Sequence, residues 1–381
     1  MTPPRPAPPK HDEASILGRL VMVGVRGATP DDPALREDLD ACREARCRAV
    51  ILFDVDLPAM DALRAQGVPD GEARARAARN ILSPDQLATL TAHIRSTLGA
   101  GTIIAIDQEG GRVARLSPSR AFPQTLAAFA VGMLDDDAQE AEAAKLADAV
   151  ARAGINLNFA PCVDLASNPD NPVIARLDRA YSAKHRVVTE CAESLIRAQT
   201  RAGVMSCLKH FPGHGSSSTD SHLALPDITR SFNSEHELAP YHDLRARCPR
   251  DPLWVMTAHL LHRAIDPDLP ASLSRAHTTN ILRKQVLFDG PVITDSLDMR
   301  AIADRFAPDE AAVLAMNAGA DVLLDANNSP GKPRPCPAPA LVEALASALK
   351  DNRIPGGLER LRISAQRVER ALAALPQPGN A

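Results

Sequence analysis

Residues 203–223 read GVMSCLKHFPGHGSSSTDSHL. The first six, Gly203 to Leu208, are a short apolar run of the kind that forms a buried strand, so Lys209 and His210 stand where that strand ends. Pro212-Gly213, Gly215 and the serines after it can neither prolong the strand nor start a helix without strain. A strand therefore opens at its polar end onto a loop, expected to be mobile, with Asp220 and His222 at its far end. These two lie close enough in sequence for the carboxylate to fix the tautomer of the imidazole and raise its basicity, which yields a proton donor and acceptor near neutral pH. A Ser-rich loop carrying only solvated polar groups would read the same way.

Working outward, short β-branched runs alternate with helical patterns along the chain. The candidate strands are Leu20–Val25, Ala49–Phe53, Thr102–Ile106, Asn156–Phe159, Met205–Leu208, Leu253–Met256, Pro291–Ile293 and Asp321–Leu324. Such alternation is the signature of parallel strands joined by crossover helices. It predicts an α/β fold, a single-domain (β/α)8 TIM-like barrel with its active site at the C-terminal ends of the strands. Polar residues that directly follow the apolar runs are then the candidates for chemistry: Asp107, Asp164, Lys209 with His210, His259 and Asp295. One of them alone could be a helix cap; together they argue for a pocket.

Between the strands, Ser83-Pro84 followed by Leu87, Leu90, Ile94 and Leu98 marks a capped helix with one apolar face. Val187–Ala202 and Leu341–Leu349 carry similar stripes, and Arg353–Leu372 reads as a closing helical segment. The segment Asp54–Asn80 is longer than a barrel loop needs, so an excursion over one barrel end is expected. Its Arg74, Arg76 and Arg79 read as a solvated basic face, with an acidic substrate group as the other possibility. Asn327–Ala340, rich in proline, should be an extended loop after the last strand. Residues 1–14 are expected to be a disordered Pro-rich tail, 15–373 the barrel domain and 374–381 a flexible tail.

A chain of 381 residues with 45% apolar content can bury one large α/β core. The net charge of −4 gives no basic footprint for nucleic acid or an anionic membrane. Seven cysteines form no CxxC pair and several sit in apolar runs as small hydrophobes, which suits a reducing compartment. The run Ile16–Val25 is broken by Arg19 and is too short to span a bilayer. A cytoplasmic placement is the expectation. A single Trp and two Tyr leave no aromatic platform for a long polysaccharide.

Three blocks carry a family resemblance: IDQEGGRVARL at 106–116, KHFPGHGSSSTDSHLALP at 209–226 and VITDSLDM at 292–299, with weaker matches at 154–165 and 255–259. The chain resembles the glycoside hydrolase family 3 β-N-acetylhexosaminidases of the NagZ type over roughly residues 16–372. The resemblance implies a retaining exo-β-N-acetylglucosaminidase that needs no cofactor and no metal. Asp295 matches the family nucleophile, and His222 with Asp220 matches a loop dyad that replaces the usual carboxylic acid as acid/base. Asp107, Arg115, Arg179, Lys209 and His210 match positions that hold the −1 sugar. The implied substrate is a small carbohydrate, a muropeptide fragment of cell-wall recycling. The expected enzyme is a monomer with no nucleic acid or membrane partner. The 54–80 segment departs from compact members, which run straight from strand to helix there.

Alternatives stay open on the residues. The same fold could act on β-glucosides or transfer GlcNAc to phosphate, since an Asp-His dyad repels an anion less than a carboxylate does. His210, His214, Asp220 and His222 resemble a metal-ligand cluster, although a flexible serine spacer preorganises ligands poorly and His214 between two glycines reads as structural.

Overall fold

The computed structural model describes residues 12–221, 224–331 and 333–376. Eight parallel strands appear where the apolar runs predict them: β1 (Val21–Gly24), β2 (Ala49–Ile51), β3 (Ile103–Ile106), β4 (Leu157–Asn158), β5 (Met205–Phe211), β6 (Leu253–Thr257), β7 (Val292–Thr294) and β8 (Leu323–Asp325). They pair in the order β8-β1-β2-β3-β4-β5-β6-β7. The ends of this row meet at a parallel bridge between Ile293 and Val322, which brings the sheet round into a barrel.

The strands alternate with a period of two although both faces are apolar, as a sheet covered on both sides requires. Met22, Ile51, Ala105, Leu157, Trp254 and Ile293 point into the barrel and pack with one another. Val21, Val23, Val50, Ile104 and Ile106 point outward into the layer shared with the helices. The helix Pro84–Leu98 carries the expected cap: Ser83 accepts from the Gln86 N–H and the Gln86 side chain answers the Ser83 N–H, closing a capping box. Its Leu87, Leu90, Ile94 and Leu98 are all buried.

At the end where the strands begin, the closing helix Gly357–Ala373 plugs the barrel with Val368 and Ala371. Asp321, just before β8, fixes that helix in place. Its carboxylate accepts from Ser364 Oγ at 2.7 Å, Arg367 Nη1 at 3.1 Å, the Val292 N–H at 3.0 Å and the guanidinium of Arg283. At the other end of the chain, helix Glu13–Arg19 is capped by Asp12, so ordered structure starts ahead of residue 15. The rest of the expected N-terminal tail, and residues 377–381 of the C-terminal one, lie outside the described residues.

The Asp54–Asn80 excursion is present, with helices Leu57–Ala65 and Asp70–Arg76 around a small core of Val55, Met60, Ala73 and Ala77. An antiparallel bridge between Val55 and Ala78 pinches its base. The expected solvated basic face needs correction at Arg79, which is buried. Arg79 donates to Val25 O, Asp56 Oδ2, Asn328 Oδ1 and Asn327 O at 2.9 to 3.1 Å, so it staples the excursion to the ends of β1 and β8. A guanidinium with this many fixed acceptors is internal scaffolding, whatever its sequence neighbours suggest. The short hairpin Gln108–Gly110 with Val113–Ala114 was not predicted.

Two expected outcomes follow from these internal polar groups. Asp321→Ala leaves Arg283 buried without its partner and should cost about 3–5 kcal/mol, read as a lower urea midpoint. His277, in the wide helix Ala276–Gln285, is fully buried with neither ring nitrogen hydrogen-bonded, and burial together with the neighbouring His262 lowers its pKa to about 4. An unfolded histidine takes a proton near pH 6.5 while this folded one resists, so stability falls as pH drops from about 6.5 to 4, by roughly 3 kcal/mol for this group. His277→Leu should remove that share of the acid sensitivity in denaturation curves at pH 7 and pH 4.5; an unchanged pH dependence would refute the assignment.

Candidate active site

The rim of the barrel is built from residues that the strands cannot bury. After β3, Gln108 turns inward, where its Oε1 accepts from the Leu116 N–H at 2.9 Å and its Nε2 donates to Thr125 Oγ1 at 3.2 Å. In an extended segment the neighbours of an inward residue face the other way, so Asp107 and Glu109 project together into the mouth. Lys209, in β5, reaches both: its Nζ is 2.6 Å from Asp107 Oδ1 and 2.7 Å from Glu109 Oε1. The ammonium is only 2% exposed.

Glu109 also takes the Arg179 fork, with Nε and Nη2 each donating at 2.8 Å. Burial works against its charge, but Arg179 and Lys209 outweigh burial and hold the carboxyl well below the usual carboxylate range. Lys209 is likewise pushed above its ordinary value by Asp107 and Glu109 despite its burial. Glu109 was not singled out from the sequence. The signal was there: a second carboxylate two residues after Asp107, on the same side of an extended run.

Arg179 continues the chain of contacts to His210, whose Nε2 lies 3.3 Å from Nη2. A guanidinium can only donate, so Nε2 accepts and the ring proton sits on Nδ1, which donates to Asp164 Oδ2 at 2.6 Å. Asp164 also receives the His210 and His214 backbone N–H groups. Burial pushes this carboxyl up, and His210 and His214 more than offset that, leaving it at about 2. On the opposite flank Arg115 lies over the Phe53 ring, with Nη2 3.7 Å from Asp107 and Nη1 3.6 Å from Asp54. All five predicted sugar-binding residues thus share one contact network.

Asp295 follows β7. Its N–H donates to Thr257 O at 2.8 Å and its Oδ1 accepts from the Ser296 N–H at 2.8 Å, leaving the residue half-buried. Its turn is fixed from behind by His259: Nε2 donates to Ser296 O at 2.8 Å and Nδ1 accepts from Ser272 at 2.7 Å. Thr294, just before Asp295, pairs with Thr257, which pairs with Phe211 of β5, so Asp295 stands on the same rim as Lys209 and His210. Asp298 is engaged elsewhere, with Ser296 Oγ at 2.5 Å and Arg334 Nη2 at 3.0 Å.

The loop after β5 departs from expectation. Residues 212–217 are buried rather than free. Asn171 Nδ2 donates to His214 O at 2.8 Å, and a Cβ on Gly215 would sit 1.8 Å from Leu165 O, so glycine is there for close approach and not for mobility. His214 is hydrogen-bonded to Ser217 at 3.1 Å and Ser221 at 3.2 Å. Asp220 is half-buried, and His222 lies outside the described residues. The metal cluster considered above is not assembled among the described residues. The three ligand-type side chains that do converge are Cys162, Asp164 and His210. They are committed to one another, the Cys162 thiol donating to Asp164 Oδ2 at 3.3 Å and pushed up in pKa by burial.

The family model described as the glycosyl hydrolase family 3 N terminal domain matches residues 75–371. A beta-hexosaminidase A of Pseudoalteromonas piscicida is 34% identical over 322 residues, covering 79% of this chain and 53% of that protein. A beta-hexosaminidase of Idiomarina loihiensis is 32% identical over 260 residues, 66% of this chain and 76% of that protein. Among solved structures, a glycoside hydrolase family 3 beta-N-acetylglucosaminidase from a Paenibacillus species superposes with a TM-score of 0.80 at 31% identity, covering 98% of this chain and 65% of that one. The chain thus spans about half the length of the first of these relatives. With a family match over most of its residues and a barrel whose rim gathers the carboxylates and cations described here, this chain belongs to glycosyl hydrolase family 3.

Proposed function

We propose that the protein is a retaining exo-β-N-acetylglucosaminidase. The observation that carries this reading is that Asp107, Lys209, Arg179, His210 and Arg115 share one contact network on the barrel rim where β7 also delivers Asp295. Fixed carboxylates and guanidinium forks suit the vicinal hydroxyls and amide of a sugar, and a half-buried carboxylate beside them suits attack at the anomeric carbon. The relatives named beta-hexosaminidase point to the same chemistry.

In this mechanism the Asp295 carboxylate forms a bond to C1 while the bond from C1 to the leaving oxygen breaks. His222, paired with Asp220, gives its proton to that oxygen. The neutral imidazole then takes a proton from water, which attacks C1 and frees Asp295 with net retention. Asp107, Arg115, Arg179, Lys209 and His210 hold the −1 sugar, and no cofactor enters.

The substrate we infer is a small GlcNAc-bearing muropeptide fragment, processed in the cytoplasm by a monomer as part of cell-wall recycling. Trp254, Tyr181 and Tyr241 are all buried, so these rings offer no stacking surface to a long glycan. No helix among the described residues is long and apolar enough to cross a membrane.

An aryl β-GlcNAc substrate tests the proposal. Wild-type protein should release the aryl group, with GlcNAc and no sugar phosphate formed in phosphate buffer, and EDTA should leave the rate unchanged. Asp295→Ala should lower kcat at least about a thousand-fold. A 2- or 5-fluoro GlcNAc donor should leave a label on the peptide containing Asp295. A label on any other residue, or GlcNAc 1-phosphate as the main product, would overturn the assignment.

A further inference from the structure

The 54–80 excursion begins with Asp54, three residues beyond β2 at the C-terminal end of the strands. Asp54 is 4% exposed. Its Oδ2 accepts from Arg74 Nη2, on the second excursion helix, at 2.7 Å. Its carbonyl accepts from Arg120 Nη2 at 2.9 Å and from the Arg79 N–H at 3.2 Å. Arg74 thereby holds the carboxylate while Arg120 and Arg79 hold the backbone behind it, and the remaining oxygen, Oδ1, faces Arg115 Nη1 at 3.6 Å.

Arg115 is poised rather than saturated. Its two nearest carboxylates stand at 3.6 and 3.7 Å, too far for hydrogen bonds, and its Nε is buried without a hydrogen-bond partner. Phe53 fixes the plane of the guanidinium from below at 5.6 Å. Asp107 alone could not centre the fork, because its Oδ1 is already committed to Lys209 at 2.6 Å. Asp54, facing Nη1 while Asp107 faces Nη2, balances that pull.

We propose that Asp54 is a positioning residue for Arg115, and that through it the 54–78 excursion becomes part of the apparatus that binds the terminal sugar. The inference rests on the glycosidase reading above. Asp54 touches no reacting atom; it acts by holding a guanidinium at the spacing where sugar hydroxyls can enter between the two carboxylates. Arg74 acts one step further out, by holding Asp54.

Steady-state kinetics on an aryl β-GlcNAc substrate decide the matter, with thermal melts confirming that each variant is folded. Asp54→Asn should raise KM about ten-fold while kcat changes little, since uniform binding is lost and not stabilisation of the transition state. Arg74→Met should move KM the same way by about three-fold. In a double-mutant cycle, Asp54→Asn combined with Arg115→Met should be no worse than Arg115→Met alone. Wild-type KM in Asp54→Asn, or single effects that multiply in the double variant, would overturn the proposal. If Asp54→Asn does not fold, the Arg74→Met and Arg115→Met cycle is read by the same criterion. A wild-type protein that binds GlcNAc but cleaves no aryl glycoside would instead sink the glycosidase reading, a result that no variant is needed to see.

Discussion

The structure turns on one buried ammonium. Placing Lys209 where it is 2% exposed would cost several kcal/mol unless anions meet it there, and two do, at 2.6 and 2.7 Å. One of those anions, Glu109, is itself too buried to stand alone and takes Arg179. Arg179 in turn sets the tautomer of His210, which leans on Asp164. Each charge is therefore the reason the next can be buried. The outcome is a line of alternating groups across the barrel mouth whose orientations are set before any ligand arrives, which is what makes fixed dipoles and charges effective toward a polar substrate.

The two ends of the barrel use the same interaction for different ends. Below, Asp321 gathers Arg283, Arg367 and Ser364 and locks the closing helix against the strand openings. The Asp321 carboxylate takes four donors there, at the end of the barrel away from the mouth, so the cluster serves stability. Above, the network opens on one side to Arg115, whose donors are not fully used. Strand length matches this division: β5 runs seven residues and, on its β4 side, carries Lys209 and His210 beyond Ser206, the partner of the last β4 residue, Asn158. Conserving backbone pairing while extending one strand past the rim is a direct way to hold side chains rigidly over a pocket.

All eight strands were legible because both faces of each are buried, which leaves continuous apolar runs that no other element in this chain imitates. The polar residues that end those runs were legible for the same reason. What escaped was decided by contacts between distant segments. Arg79 reads as one more arginine on a basic helix, and only its meeting with Asn327 and Asn328, some 250 residues away, makes it internal. Glu109 sits in a quoted motif yet depends on Lys209 and Arg179 for its meaning. Gly215 and its serines look like a flexible spacer by composition, whereas the backbone of Leu165 presses against that glycine so closely that no other residue fits.

That last misreading bears on the proton donor. The segment from Pro212 to Ser217 is packed, Ser218 is exposed and Ser221 is buried again, so the loop is pinned on both sides of residues 218–220. His214 clasps its root. The Ser217 hydroxyl donates to Thr219 O at 3.1 Å and so accepts from His214 Nδ1–H, which leaves Nε2 to accept from Ser221. This clasp requires a neutral ring, and burial, aided by the neighbouring His210, lowers the pKa of His214 to about 4. The imidazole at the root of the loop is thus kept neutral across the range where a catalytic acid and base must exchange protons, so His214 holds the loop and leaves proton transfer to another group.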